Sequence, residues 1–150
     1  MKFDTIAVQL GHNASDNRNA ISVPIYQTTA FNFDDVQYAA DLFDLKVAGD
    51  IYTRISNPTT QVLEERLAAL EGGVGALCVS SGQSASLLSV LNIAKAGDEI
   101  VASQNIYGGT VNLLGITLEK MGIKVKFVAG VNPDDFEKEI NEKREIDIIF

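Results

Sequence analysis

Three short segments carry residue types that could do chemistry. The first is Ser80-Ser81-Gly82-Gln83-Ser84, which follows the apolar run Ala76 to Val79 and precedes a nearly all-apolar stretch from Ala85 to about Lys95. Read as strand, turn and helix, it places small polar residues where the first backbone N–H groups of a helix have no partner and the helix dipole is positive. Gly82 permits close approach, and Ser80, Ser81 and Ser84 offer hydroxyls, so the turn suits an anion, a phosphate foremost. The same residues also make an ordinary βα turn. The second segment is Tyr52-Thr53-Arg54, in an irregular stretch ahead of a helix. A guanidinium clamps phosphate through paired charge-assisted hydrogen bonds, and a neighbouring phenol adds a neutral donor. The alternative is a surface arginine beside a half-buried tyrosine. The third is Asn105-Ile106-Tyr107-Gly108-Gly109-Thr110, where an aromatic residue backed by two glycines can present its ring face to a flat ligand. Its alternative is a loop tyrosine covering the core.

The elements that must position these segments are clearest after residue 57. Asn57 is placed to cap a helix with Pro58 at its first position, and Gly72-Gly73 to stop it. Val62, Leu63, Leu67 and Leu70 form its apolar face, with Glu64, Glu65 and Glu71 left for solvent. Ala76 to Val79 reads as a buried strand, and the helix from Ala85, apolar on most sides, should be packed on most sides. Glu99 to Ser103 and Lys124 to Val128 read as further strands around a helix from about Thr110 to Met121, whose stripe is Val111, Leu114, Leu118 and Met121. Asn132-Pro133-Asp134-Asp135 begins a fourth helix, with the acidic run Asp134 to Glu145 on a solvated face, and Ile146 to Phe150 reads as a fourth strand. Alternating strands and helices predict an α/β domain with a mostly parallel sheet. Residues 1 to about 60 show only a polar stretch (Gly11 to Ala20), an extended one (Ser22 to Phe33) and a helix from Asp34 to about Lys46.

Composition narrows the function classes. The chain has 150 residues, 46% hydrophobic, with 12 Lys and Arg against 20 Asp and Glu, a net charge of −8. That balance speaks against nucleic acid or an anionic membrane as partner, and no run is long enough to cross a bilayer. The N-terminus has neither the apolar core of a secretory signal nor the arginines of a transit peptide, which makes the cytoplasm the expected location. One cysteine (Cys78) and one histidine (His12) cannot build a Cys/His zinc site. Cys78 reads as an inert core residue, His12 as a polar surface residue, and Asn13-Ala14-Ser15 as an unused glycosylation sequon. No Walker loop or dinucleotide fingerprint occurs. Gly82 to Ser86 starts like a nucleophile elbow but lacks its final glycine, so a serine hydrolase does not fit.

Taken together, a phosphate cradle, a Tyr/Arg clamp and a ring-stacking tyrosine describe a flat aromatic ligand with one phosphate, and pyridoxal 5'-phosphate (PLP) meets that description. The phrases VPIYQTTAFNF, IYTRISNPTTQVLEERLAALEGG, ALCVSSGQSA and NIYGGT, in that order, resemble the N-terminal part of the Cys/Met-metabolism enzymes, PLP proteins of trans-sulfuration. Within that family LFDLKVAGDIYTRISNPT and ALEGGVGALCVSSGQSA are most similar to the O-acetylhomoserine sulfhydrylases. Cystathionine γ-synthases and the γ- and β-lyases are similar but often carry Met at the position of Gln83. The resemblance implies fold type I, the aspartate-aminotransferase-like α/β architecture, here truncated and preceded by an N-terminal arm. Residues 1–60 would be that arm, reaching a neighbouring subunit, and 61–150 the first part of the PLP-binding domain.

By the same resemblance, Gly82 and Gln83 give backbone N–H groups to the cofactor phosphate, with Ser81 beside them. Tyr107 stacks on the pyridine ring. Tyr52 and Arg54 reach the phosphate of a neighbouring subunit, and Tyr52 also assists proton movement near the substrate. A homo-oligomer with shared active sites follows, commonly a dimer of dimers. The implied reaction is γ-replacement: acetate leaves Cγ of O-acetylhomoserine and sulfide or a small thiol adds, giving homocysteine or methionine. A non-catalytic α/β module binding a phosphorylated metabolite is the reading from a different class, and an inert assembly piece is a third. The family's Schiff-base lysine, its pyridine-pairing aspartate and its carboxylate-binding arginine are expected beyond residue 150, as in a truncated chain. None of the eight lysines lies in a Ser/Thr-rich lysine motif. The purified 150-residue chain is therefore expected to form no homocysteine from O-acetylhomoserine and sulfide; detectable product in a thiol assay would overturn this.

Overall fold

Asn57 and Pro58 set the best-defined helix start in the first half of the chain. In the computed structural model, which describes residues 1–140 and 146–147, the Asn57 side chain accepts from the Thr59 N–H and Pro58 occupies the first turn. The helix it opens, α3 (Pro58–Glu71), ends where Gly72 turns left-handed at φ 67°. The chain falls into two compact units, Met1–Cys78 and Val79–Phe150.

The first unit is helical with one short extended pairing. It holds α1 (Phe3–Gln9), a 3₁₀ turn (Ala14–Asn17), α2 (Val36–Phe43) and α3. The sequence reading missed α1 and the 3₁₀ turn. Both are short, and α1 is held by packing on α3, with Arg66 Nε donating to the carbonyl of Leu10 across the pair. The α2 helix begins where its cap allows, since the Asp35 carboxylate accepts from the Tyr38 N–H. On α3 the predicted apolar face is only partly realised. Val62 is buried, but Leu63 and Leu67 are exposed while Glu64 is half-buried. The reason is local: α1 covers the Val62 side, and the Glu64 carboxylate turns inward to accept the Cys78 N–H at 2.7 Å.

The expected buried strand Ala76 to Val79 is a correction. It makes no strand pairing among the described residues, Leu77 is 73% exposed, and Cys78 is half-buried. Apolar composition is only half of what a strand needs; a backbone ladder must also be offered alongside it.

The second unit is the α/β part. It contains α4 (Gly82–Ile93), β1 (Glu99–Ser103), α5 (Gly108–Asn112) running into a π-helical segment (Leu113–Leu118), β2 (Lys124–Val128), α6 (Pro133–Glu137) and β3 (Ile146–Asp147). Its sheet has the order β2-β1-β3, all parallel. The predicted spans of β1 and β2 are matched residue for residue, and of the predicted Ile146 to Phe150 strand, residues 148–150 lie outside the described residues. So does the part of the acidic run from 141 to 145; α6 itself ends at Glu137. The central β1 is buried on both faces, through Ile100, Val101 and Ala102, as parallel strands require. Val90, Ala94, Leu114, Leu118 and Ile123 complete the core around it.

Two helices depart from expectation. The α4 helix starts at Gly82 rather than Ala85, because Ser81 caps it, and only its Val90 side is buried, leaving Leu88, Leu91 and Ile93 exposed. The π-helical turns keep Leu114 and Leu118 fully buried, but their wider winding rotates Val111 and Met121 partly or wholly out of the predicted stripe. Gly122, left-handed at φ 86°, closes the helix, and a side chain there would press on Ala96. This register is testable with two truncations on the same turn. Leu118→Ala should cost about 2–5 kcal/mol, whereas Ile116→Ala, at a residue 52% exposed, should cost less than about 1 kcal/mol. Urea unfolding of both variants checks this, and equal losses would contradict the burial of Leu118 and the exposure of Ile116.

Candidate functional site

The second unit brings four of the singled-out residues, Ser81, Gly82, Gln83 and Tyr107, into one neighbourhood. Ser81 is extended at φ −161° and its hydroxyl accepts from the Ser84 N–H at 3.1 Å, while the two hydroxyl oxygens lie 2.9 Å apart. The cap therefore uses one orphan N–H of the first turn, and the Ser81 carbonyl receives the N–H of Ala85. The N–H groups of Gly82 and Gln83 precede the first intrahelical bond and point along the axis out of the N-terminus. Among the described residues a side chain added at Gly82 would meet nothing within 4 Å, so the space beside this residue is open.

The second wall of the neighbourhood is the loop after β1. Its start is fixed at both strands: Gln104 N–H donates to the carbonyl of Val128, Asn105 N–H to the Ser103 hydroxyl, and Asn105 Nδ2 to the carbonyl of Ala129. Its end is fixed by the first turn of α5, where the N–H groups of Thr110 and Val111 both donate to the Tyr107 carbonyl. Between these anchors the Tyr107 side chain projects outward, 76% exposed. Gly109 lies under the ring: a Cβ there would stand 2.6 Å from Tyr107 Cε1 and 3.4 Å from Gln83 Nε2. That one point touches both residues, so the ring of Tyr107 and the side chain of Gln83 flank the same glycine. Gln83 Nε2 also donates to the buried Thr110 Oγ1 at 3.1 Å. In the sequence Gly109 is legible as a glycine next to an aromatic, whereas nothing in the loop signals the partner of Thr110.

Tyr52 and Arg54 belong to the first unit, where they form a pair of their own. Residues 29–31 and 51–53 run antiparallel, through Phe31 N–H to the carbonyl of Ile51 at 3.2 Å and Thr53 N–H to that of Thr29 at 2.9 Å. The Thr53 hydroxyl donates to the Thr28 carbonyl, and Asn57 Nδ2 reaches both the Tyr26 carbonyl and Thr53 Oγ1. On this framework the Arg54 guanidinium lies 5.4 Å from the centroid of the Tyr52 ring, a cation–π contact, with both side chains solvent-exposed. His12 is half-buried, its Nε2 donating to the Ala20 carbonyl at 2.8 Å, which gives the imidazole a structural task.

Known proteins are similar to this one over nearly the whole chain. A family model for Cys/Met metabolism PLP-dependent enzymes matches residues 4–150. The chain is 54% identical over 142 residues to an O-acetyl-L-homoserine sulfhydrylase of Leptospira meyeri, covering 95% of this chain and 32% of that protein. It is 46% identical to a homocysteine/cysteine synthase of Saccharomyces cerevisiae, over 94% and 32% of the two chains. Among solved structures it superposes with a TM-score of 0.90, at 39% identity, on an O-acetylhomoserine (thiol)-lyase of Campylobacter jejuni that carries a pyridoxyl-lysine phosphate. That match covers 98% of this chain and 36% of the other. The chain thus spans about a third of the length of these relatives.

The Gly109 contact yields a test of the ring position. Alanine is favoured over glycine in a helix by up to ~1 kcal/mol, and an exposed ring can swing aside cheaply. Gly109→Ala is therefore expected to keep or slightly raise stability while shifting the Tyr107 ring resonances in an NMR spectrum. Unmoved ring resonances would mean that the ring does not rest on Gly109.

Proposed function

The chain belongs to the Cys/Met metabolism PLP-dependent enzymes, of fold type I, and on that footing we propose that it is the N-terminal part of an O-acetyl-L-homoserine sulfhydrylase. In this reading the whole protein replaces the acetate of O-acetyl-L-homoserine by sulfide, or a small thiol, at Cγ. The observation that carries the proposal is the juxtaposition in the second unit: a capped helix N-terminus with open space beside Gly82, flanked by an outward-facing tyrosine ring. The donor set fits PLP. Two backbone N–H groups and the Ser81 hydroxyl suit a phosphate, and a ring face within reach of Gln83 suits a planar heterocycle.

When bound, PLP supplies an electron sink that eases removal of protons from the α and β carbons of the substrate. The chain's own residues do the rest. Ser81, Gly82 and Gln83 hold the phosphate, and Tyr107 covers one ring face, orienting it and keeping water from that side. Arg54 and Tyr52 serve the phosphate of a neighbouring subunit, the guanidinium by paired hydrogen bonds and the phenol as a neutral donor. The Tyr52 hydroxyl also assists proton movement close to the substrate in this reading. This division makes residues 1–60 an arm between subunits and the protein a homo-oligomer with shared sites, commonly a dimer of dimers, working in the cytoplasm on small molecules. Cystathionine γ-synthase and methionine γ-lyase activities are the neighbouring readings, separated by which thiol or leaving group is turned over.

PLP added to the protein and fixed with borohydride should leave a pyridoxyl-lysine in the whole protein, with homocysteine formed from O-acetyl-L-homoserine and sulfide. Reversible phosphate binding without an adduct would instead make it a metabolite-binding module. For the shared site, oligomers of Arg54→Ala subunits mixed with Tyr107→Ala subunits should regain activity that neither variant has alone. No recovery on mixing would overturn the contribution of Arg54 across subunits.

A further inference from the structure

The Gln83 side chain has no task in the cofactor site as proposed, where only its backbone N–H is used, yet it is not idle. Its amide donates to Thr110 Oγ1 at 3.1 Å, and Thr110 is almost fully buried. Thr110 is in turn tied to Tyr107, because its N–H donates to the Tyr107 carbonyl at 2.8 Å. The start of the loop is anchored elsewhere, by Asn105 to Ser103 and Ala129. At the α5 end, therefore, the Gln83–Thr110 bond links the phosphate-facing turn of α4 to the residue that carries the ring. The ring itself is mostly exposed and has the small floor of Gly109, whose Cβ position borders both the ring and the Gln83 amide.

We infer that the Gln83 side chain and Thr110 are positioning residues: their hydrogen bond sets the distance and tilt between the phosphate-binding turn and the Tyr107 ring. Gln83 thus acts twice, with its N–H toward the phosphate and with its side chain on the loop that stacks. The inference rests on the PLP site proposed above. A ligand with both a phosphate and a ring feels the bond; inorganic phosphate does not.

The decisive variant is Thr110→Val, which keeps shape and removes the acceptor, with Thr110→Ser as the conservative control that keeps the hydroxyl. One neutral hydrogen bond corresponds to about a 2- to 10-fold change in affinity. Thr110→Val should weaken PLP binding by that factor, leave the affinity for inorganic phosphate within about twofold of the unsubstituted chain, and shift the Tyr107 ring resonances. Thr110→Ser should restore all three readouts, and adding Gln83→Leu to Thr110→Val should cause no further loss of PLP affinity, as expected for partners in one bond. Unchanged PLP affinity with unmoved ring resonances in Thr110→Val would overturn the inference, and so would an equal loss for both ligands, which marks a merely structural role. If PLP leaves the amide signals of Gly82 and Gln83 unperturbed in the unsubstituted chain, the cofactor reading fails instead. The response of the Tyr107 ring to Thr110→Val then still decides whether the two residues position it.

Discussion

The parallel ladder between β1 and β2 is the constraint on which the second unit depends. Its register runs from Glu99 opposite Lys124 to Ser103 opposite Val128, and two parallel neighbours cannot be joined by a tight turn. The chain must cross over, and it does so through α5 and its π-helical continuation, whose Leu114 and Leu118 seal one face of β1. Both ends of the crossover are tied down by backbone bonds, Gln104 to Val128 at one end and Gly97 to Gly122 at the other. The loop bearing Tyr107 consequently leaves the C-terminal end of β1, where ligands sit in open α/β sheets. Nothing in the loop itself dictates that position; the ladder does.

How much of this was legible follows from which physical signal each element used. The β1 and β2 spans and the α3 caps rest on local chemistry, namely short apolar runs between turn residues, Asn57 with Pro58, and Gly72, and these are readable in one dimension. The failures involve partners. Ala76 to Val79 has the composition of a buried strand, and α4 that of a helix buried on most sides, but burial needs surfaces that the described residues do not supply. The helix α1 was hidden for the converse reason, since its seven residues are stabilised by α3, far along the chain. At the site, the small polar turn Ser80 to Ser84 could be read from residue type; the Ser81 cap, which starts the helix three residues before the expected Ala85, and the Gln83–Thr110 bond, which spans 27 positions, could not.

A protein of net charge −8 that holds a phosphate must do so with local donors. Charges farther than about 8 Å are largely screened at physiological salt, so the sum over the surface matters less than the few groups at hand. The first turn of α4 contributes oriented N–H groups whose interaction with an anion is worth roughly 0.3–1 kcal/mol when exposed and up to ~2 when partly buried. There are no acidic side chains in that first turn. That end of the helix is thus neutral apart from the helix dipole, while carboxylates are spent elsewhere, as the Asp98 side chain is on the N–H of Lys95 at the far end of the same helix.

The Tyr52 and Arg54 pair solves a different problem, that of aiming a long flexible cation from an irregular segment. Free in solution an arginine side chain loses about 2 kcal/mol of rotamer entropy when it is fixed, which subtracts directly from any phosphate contact. Here the surrounding structure already restricts part of that freedom. The backbone on either side of Tyr52 is bonded to residues 29 and 31, the capping Asn57 grips the same strip through Thr53, and the Tyr52 ring gives the guanidinium a surface 5.4 Å away to lie over. A guanidinium resting on an aromatic face keeps its N–H edges, which lie in its own plane, directed away from the ring. A guanidinium that lies over a ring thus still has N–H edges to offer a phosphate, in a planar fork that a lysine ammonium lacks.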